Sequence, residues 1–291
     1  MLNKTTYRFN SPHLYKVQYV SNNSYQNPVS SGILDFLIMP EVNEEQELLD
    51  YKIQVTPKLH HKIGVNHLGF KTIRLFITAP INQLSISFTS KVIKKTKQLE
   101  TETAANEEDF NFYIDNYFYK QQTPLTNIPQ DAPILNFKNT SDKLLPFIIE
   151  ISNQIHAEIK YEQFVTNVLT SAADVLQIKA GVCQDFSHVL LGVFRAHQIM
   201  ARYVSGYLHT YHDEAQQHAW VEAYVPGCGW VGIDAANNCL VNENYIKIAH
   251  GADYNECAAI RGTIESSGLH TTNYAVKVAL MEQQITQTQA Q

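Results

Sequence analysis

Charge is scarce in this 291-residue chain: Asp, Glu, Lys and Arg make up 17 % of it, below the roughly 25 % of an ordinary soluble domain. Basic residues are scarcer still, 22 Lys and Arg against 28 Asp and Glu, for a formal net charge of -6. That balance excludes a chain built to coat nucleic acid or an anionic membrane surface. No apolar run approaches the roughly 20 residues that span a bilayer, so no membrane partner is expected. The opening Met1-Leu2-Asn3-Lys4-Thr5-Thr6-Tyr7-Arg8 lacks the apolar core of a secretory signal, and the expected address is cytoplasmic. The four cysteines, Cys183, Cys228, Cys239 and Cys257, include no C-x-x-C pair. They are too few and too widely spaced for a disulfide scaffold or a structural zinc site. No Gly-rich phosphate loop and no metal-ligand spacing is found, so neither cofactor nor metal is implied. Internal repeats are also missing.

What is present is a core: 44 % of residues are hydrophobic and 11 % aromatic, enough to exclude global disorder or a coiled coil. The length suits one large domain or two of ordinary size. Residues 15–94 read as short strands closed by turn chemistry. Tyr15, Val17 and Tyr19 alternate with polar residues, Ile33 to Met39 stops at Pro40, and Leu84, Ile86 and Phe88 alternate again. Such spacing predicts an antiparallel β-sandwich. Residues 95–108 read as a solvated loop, and 110–133 as an aromatic connector. Helical texture then begins. An apolar helix is expected over 147–156, and Thr170-Ser171 offers an N-cap for a helix over 172–179 with Gly181 as its stop. Phe186, Val189, Leu190, Val193 and Phe194 trace one apolar face of a helix over 183–197. Strands follow at 201–208, 218–225 and 230–234, the last two joined by Pro226-Gly227-Cys228-Gly229 as a hairpin. The Gln- and Thr-rich tail from Gln283 reads as frayed.

Three residues stand out chemically. Cys183 opens the most amphipathic helix, where unpaired N–H groups and the helix dipole favour a thiolate; the competing reading is a small buried hydrophobe. His218 opens a strand and Asp234 closes the next, so the hairpin makes them neighbours. A neutral imidazole there takes a thiol proton and later donates it to a leaving amine, while a carboxylate fixes its tautomer. With 12 histidines in the chain a lone His is weak evidence, and Asp234 alone reads as a turn residue. Together they form nucleophile, base and orienter.

The stretches Gly181-Val182-Cys183-Gln184-Asp185-Phe186-Ser187-His188, Ala201-Arg202-Tyr203-Val204-Ser205-Gly206-Tyr207, His218-Ala219-Trp220-Val221-Glu222 and Gly229-Trp230-Val231-Gly232-Ile233-Asp234 resemble the bacterial transglutaminase-like superfamily, whose members are often described as cysteine proteases. Gly251-Ala252-Asp253-Tyr254 and Arg261-Gly262 match as well, and the upstream strands resemble the β-rich N-terminal region of bacterial members. Two departures occur in loops. Asp234-Ala235-Ala236-Asn237 stands where members usually read Asp-Pro-Thr-Asn, and Ala258 and Ala259 stand where prolines usually precede the Arg-Gly pair. The resemblance implies Cys183, His218 and Asp234 as a catalytic triad. The implied fold is α+β: a papain/transglutaminase-like core over 131–291, preceded by an antiparallel β-sandwich-like N-terminal domain over 1–130.

Around the triad, Trp220 shares a strand face with His218 and would either shield it from water or simply fill the core. Asp185 and His188, three apart on the helix, would bond each other or nearby backbone. The backbone N–H of Cys183 is the natural first oxyanion donor, and Gln177 and Gln184 are candidates for the second. The expected reaction is acyl transfer on a peptide or protein amide through a thioester, with hydrolysis favoured. Transglutamination is the alternative, and a binding or scaffold module that keeps the fold without turnover is the rival from another class.

Overall fold

Period-two patterning builds the front of the molecule. The computed structural model describes residues 10–138, 141–210 and 216–281. Six strands come first: β1 (His13–Val29), β2 (Ser31–Phe36), β3 (Gln46–Thr56), β4 (His60–Val65), β5 (Lys71–Ile77) and β6 (Ile81–Lys94). Tyr15, Val17 and Tyr19 are buried along one side of β1, and Leu84, Ile86 and Phe88 along one side of β6, as alternation across a strand requires. Next come α1 (Glu107–Asp115), 3-10 turns at Tyr117–Lys120 and Pro133–Asn136, and α2 (Leu144–Glu158). They lead into β7 (Lys160–Tyr161), α3 (Ala172–Ile178), β8 (Ala180–Gly181) and α4 (Cys183–Ala196). The remaining elements are β9 (Ala201–Leu208), β10 (Gln216–Val225), β11 (Gly229–Asp234), β12 (Cys239–Leu240), β13 (Tyr245–Gly251), α5 (Tyr254–Cys257), β14 (Ile260–Glu265) and β15 (His270–Met281).

Two four-stranded antiparallel sheets form the front, in the orders β15-β1-β6-β3 and β14-β2-β5-β4, and a five-stranded sheet, β12-β11-β10-β9-β13, forms the core. A short parallel pair joins β7 to β8. The apolar face expected on the long helix is the one α4 buries: Phe186, Val189, Leu190, Val193 and Phe194 lie at 0–1 % exposure. It packs on β10, whose Ala219, Val221 and Ala223 share the same hydrophobic cluster. Helices on an antiparallel core sheet, fronted by a pair of β-sheets, make the fold α+β, as expected.

The chain is more interleaved than a division at residue 130 suggests. β14 pairs with β2 and β15 pairs with β1, so residues 260–281 return to the front sheets instead of staying with the core. The physical reason is edge protection: without them β1 and β2 would expose unpaired backbone along their outer sides. Residues 107–115, expected as loop and connector, are helical. Asn106 caps α1 by accepting from the Asp109 N–H, and the Asp109 side chain accepts from the Asn106 N–H in return, a reciprocal cap that stabilises even a short helix. α3 ends at Lys179 in the left-handed region (φ 56), so Gly181 is not its stop. The tail from Gln283 and the first eight residues lie outside the described residues.

Arg195 fixes the far end of α4. Its guanidinium is 1 % exposed and donates to the carbonyls of Tyr119, Ala201 and Ala252 and to Thr126 Oγ1. Replacing Arg195 by Leu leaves those buried acceptors without donors. It is expected to lower unfolding free energy by at least about 3 kcal/mol, read as a reduced midpoint in urea denaturation.

Candidate active site

Cys183 is the first residue of α4, half-buried at its mouth. The helix start is tied down by Asp185, whose Oδ2 accepts from the Val182 N–H (2.7 Å) and from Thr166 Oγ1 (2.7 Å). The carboxylate lies so close to Gly181 that a Cβ there would sit 2.6 Å from it; close approach, rather than a sharp turn, is why this position is glycine. Asp185 and His188 do not bond each other. His188 Nε2 instead accepts from the Tyr254 N–H (3.3 Å), and burial drives its ring down to about 4. The backbone N–H groups of Cys183 and Gln184 belong to the first turn, which has no intrahelical acceptors for them, and none is supplied among the described residues.

The core sheet brings in the other two residues. The hairpin register pairs Val221 with Ile233, which leaves His218 and Asp234 diagonally adjacent past its end. His218 Nε2 meets Asp234 Oδ2 at 2.6 Å, and the ring lies close enough to Cys183 for the sulfur's charge to act on it. His218 is thus buried between the thiol and the carboxylate. Burial alone would push the imidazole towards neutrality. The Cys183 sulfur and the bond to Asp234 outweigh it and push the ring up to about 10. Burial likewise opposes charge on Asp234, but bonds from His218, Tyr245 and Asn237 hold its carboxyl below the usual range.

Asp234 has more partners than its position in the sequence suggests. Tyr245 Oη donates to Oδ2 at 2.8 Å, Asn237 Nδ2 donates to the same oxygen at 2.7 Å, and the Asn237 N–H donates to Oδ1 at 3.0 Å. Asn237 belongs to the turn after β11, where an Asp three residues ahead is an ordinary turn acceptor, and that signal was available. Tyr245 was not recognisable: it stands at the head of β13, which β10 and β9 separate from the strand of Asp234, and the two meet only in the folded chain. Trp220 is 2 % exposed, stacks on His218 with ring centroids 6.5 Å apart and meets Tyr245 edge-on at 5.3 Å. It therefore covers one side of the imidazole and packs the core as well. Gln184 is half-buried beside Cys183, whereas Gln177 is exposed on α3; neither side chain bonds to the Cys183–His218–Asp234 group among the described residues.

Beyond Trp220 lies a cavity of about 700 Å³ between the core sheet and the front loops. Its floor is a charge network in which Glu222 accepts from Arg202 Nε (2.7 Å) and Lys247 Nζ (2.8 Å). Burial opposes the Glu222 charge, but Lys247 and Arg202 hold the carboxyl well below its usual range. The lining does not include Cys183, His218 or Asp234. Among the described residues no cluster of His, Cys, Asp and Glu is arranged to hold a metal ion, and no helix is long and apolar enough to cross a membrane.

The electrostatics give a direct test. Because the Cys183 sulfur makes the largest contribution that raises the His218 ring, Cys183→Ala should move its titration to lower pH. In ¹⁵N-NMR the parent ring is expected to stay protonated through neutral pH and to lose its proton as pH rises towards about 10. An unmoved titration in the variant would contradict the coupling.

Comparison with known proteins finds two matching family models. Residues 135–235 match the family model for the transglutaminase-like superfamily, and residues 15–93 match that for the bacterial transglutaminase-like N-terminal region. An uncharacterized protein of Mycobacterium leprae is 24 % identical over 266 residues, covering 87 % of this chain and 94 % of its own. An uncharacterized protein of Mycobacterium tuberculosis is 31 % identical over 133 residues, 42 % of each chain. Among solved structures, one named as a putative cysteine protease from Cytophaga hutchinsonii superposes with a TM-score of 0.79 at 23 % identity, covering 97 % of this chain and 95 % of that one. The chain carries, in order, a bacterial transglutaminase-like N-terminal region and a core of the transglutaminase-like superfamily.

Proposed function

We propose that this protein performs cysteine-dependent acyl transfer on peptide or protein amides, with hydrolysis as its outcome. The observation that carries the reading is His218, buried, bonded to Asp234 and close enough to Cys183 for the sulfur's charge to act on the ring. In that position the ring exchanges protons with the sulfur while Asp234 holds its orientation and stabilises its charged form.

Cys183 Sγ, as thiolate, adds to the amide carbonyl carbon, and the negative charge that develops on oxygen is met by the Cys183 backbone N–H at the helix start. Collapse of this adduct breaks the C–N bond as His218 gives its proton to the departing amine, leaving a thioester on Cys183. His218, now neutral, takes a proton from water, the hydroxyl oxygen joins the acyl carbon, and the C–S bond breaks to release a carboxylic acid and restore the thiolate. Trp220 keeps one side of the imidazole dry, which strengthens its pairing with Asp234. The transglutaminase-like core and the cysteine protease name given to the Cytophaga structure support the reading.

A peptide mixture incubated with the protein, with and without a labelled primary amine, tests it by mass spectrometry. Cleaved peptides without amine tags are expected, with cleavage lost in Cys183→Ala and slowed about 10²–10⁴-fold in His218→Ala. Amine-tagged peptides would replace hydrolysis by transglutamination, and no product of either kind would make the protein a binding module.

A further inference from the structure

Strand β15 forms one edge of a front sheet, with β1 on its inner side and, among the described residues, no strand on its outer side. Its register against β1 runs unbroken from His270 to Met281, so alternate residues direct their backbone groups inward and outward. The two ends of the strand identify which do which. Leu269, just before it, accepts from the Gln26 N–H of β1 and donates its own N–H to the Gln26 side-chain oxygen, so it faces β1, while the Val278 carbonyl accepts from the His209 ring of the core and so faces away from β1. Counting back by twos, Val276, Tyr274 and Thr272 present N–H and C=O outward. Among the described residues nothing bonds the outward backbone groups of Tyr274 or Thr272, and residues 270–275 are all exposed.

Natural edge strands are normally blunted by Pro, Lys or a bulge, because an open edge recruits other chains. The segment His270-Thr271-Thr272-Asn273-Tyr274-Ala275 carries neither Pro nor Lys, and its ladder has no bulge. The open stretch also lies beside the candidate active site. β15 packs against β10, the strand that carries His218, and Tyr274 is near enough to Cys183 to feel its charge.

We propose that the outer edge of β15 is the docking site for the substrate, an extended polypeptide segment that adds to the front sheet as a further strand and so brings one of its amides to Cys183. The proposal rests on the acyl-transfer reading for the last step only. Backbone pairing of this kind selects an unfolded or extended chain over a small amide and is largely indifferent to side-chain identity.

Thr272→Pro tests it, because proline at an outward edge position removes only the outward N–H and leaves the bonds to β1 in place. Thr272→Ala is the control, since it loses the same side-chain bond to Asn23 but keeps the backbone donor. Both are made in Cys183→Ala protein, and binding of fluorescein-labelled casein is followed by fluorescence polarisation, with thermal unfolding showing that each variant is folded. Affinity is expected to fall at least about tenfold in Thr272→Pro and less than about twofold in Thr272→Ala. Equal affinities in the two variants, or no casein binding, would overturn the proposal; so would a dimer in solution that Thr272→Pro dissociates, because the edge would then belong to a second copy. Casein bound through this edge but not cleaved by parent protein would sink the acyl-transfer reading and leave the docking site standing.

Discussion

One oxygen, Asp234 Oδ2, holds the candidate site in register. It accepts from His218, Tyr245 and Asn237 at once, and a carboxylate this deeply buried is tolerable only when its lone pairs are met. The donors come from the start of β10, the head of β13 and the turn after β11, so three separate segments converge on one atom. Shifting any of them would leave a buried charge short of a partner. The order of the core sheet, with β9 between β10 and β13, sets the frame that holds His218 within reach of the Cys183 sulfur's charge. The helix carrying the thiol is fixed independently, by Asp185 at its start and Arg195 near its end.

The two faces of β10 divide the labour. Ala219, Val221 and Ala223 point towards α4 and are small or branched, allowing the helix to lie close. His218, Trp220, Glu222 and Tyr224 occupy the other face and run from the chemical end of the strand to the Arg202–Glu222–Lys247 network. Trp220 separates the two polar systems. On one side lies a raised imidazole beside a sulfur, on the other a carboxylate held charged by cations. The indole keeps the two systems from bonding directly, and by excluding water it leaves each one's own pairings strong.

How far these features were legible in the sequence follows from the range of the forces involved. The apolar face of α4 and the placing of Cys183 at its head are local, and the residues announce them through spacing. The nearness of His218 and Asp234 follows from a hairpin and is nearly as local. Tyr245 is one of 16 tyrosines, and nothing in its neighbours marks it, because its meeting with Asp234 reaches across a sheet in which β10 and β9 lie between their strands. β14 and β15 carried no strand expectation, and their partners are the first two strands of the chain. α1 is the opposite case: Asn106 and Asp109 form a cap that a reading tuned to apolar periodicity passed over, since the helix has little apolar stripe to show.

The pairing of β15 with β1 and of β14 with β2 also bears on how the molecule is made. A ribosome releases the N-terminal strands first, and domains ordinarily fold as units in that order. Here the front sheets lack their last strands until residues 260–281 have been translated, with the whole transglutaminase-like core emerging in between. Contacts spanning so much sequence form slowly because the loop they close is long. Maturation of the front is therefore gated by completion of the core, and a nascent chain arrested at the end of β13 would hold a finished core sheet beside two front sheets still awaiting their outermost strands.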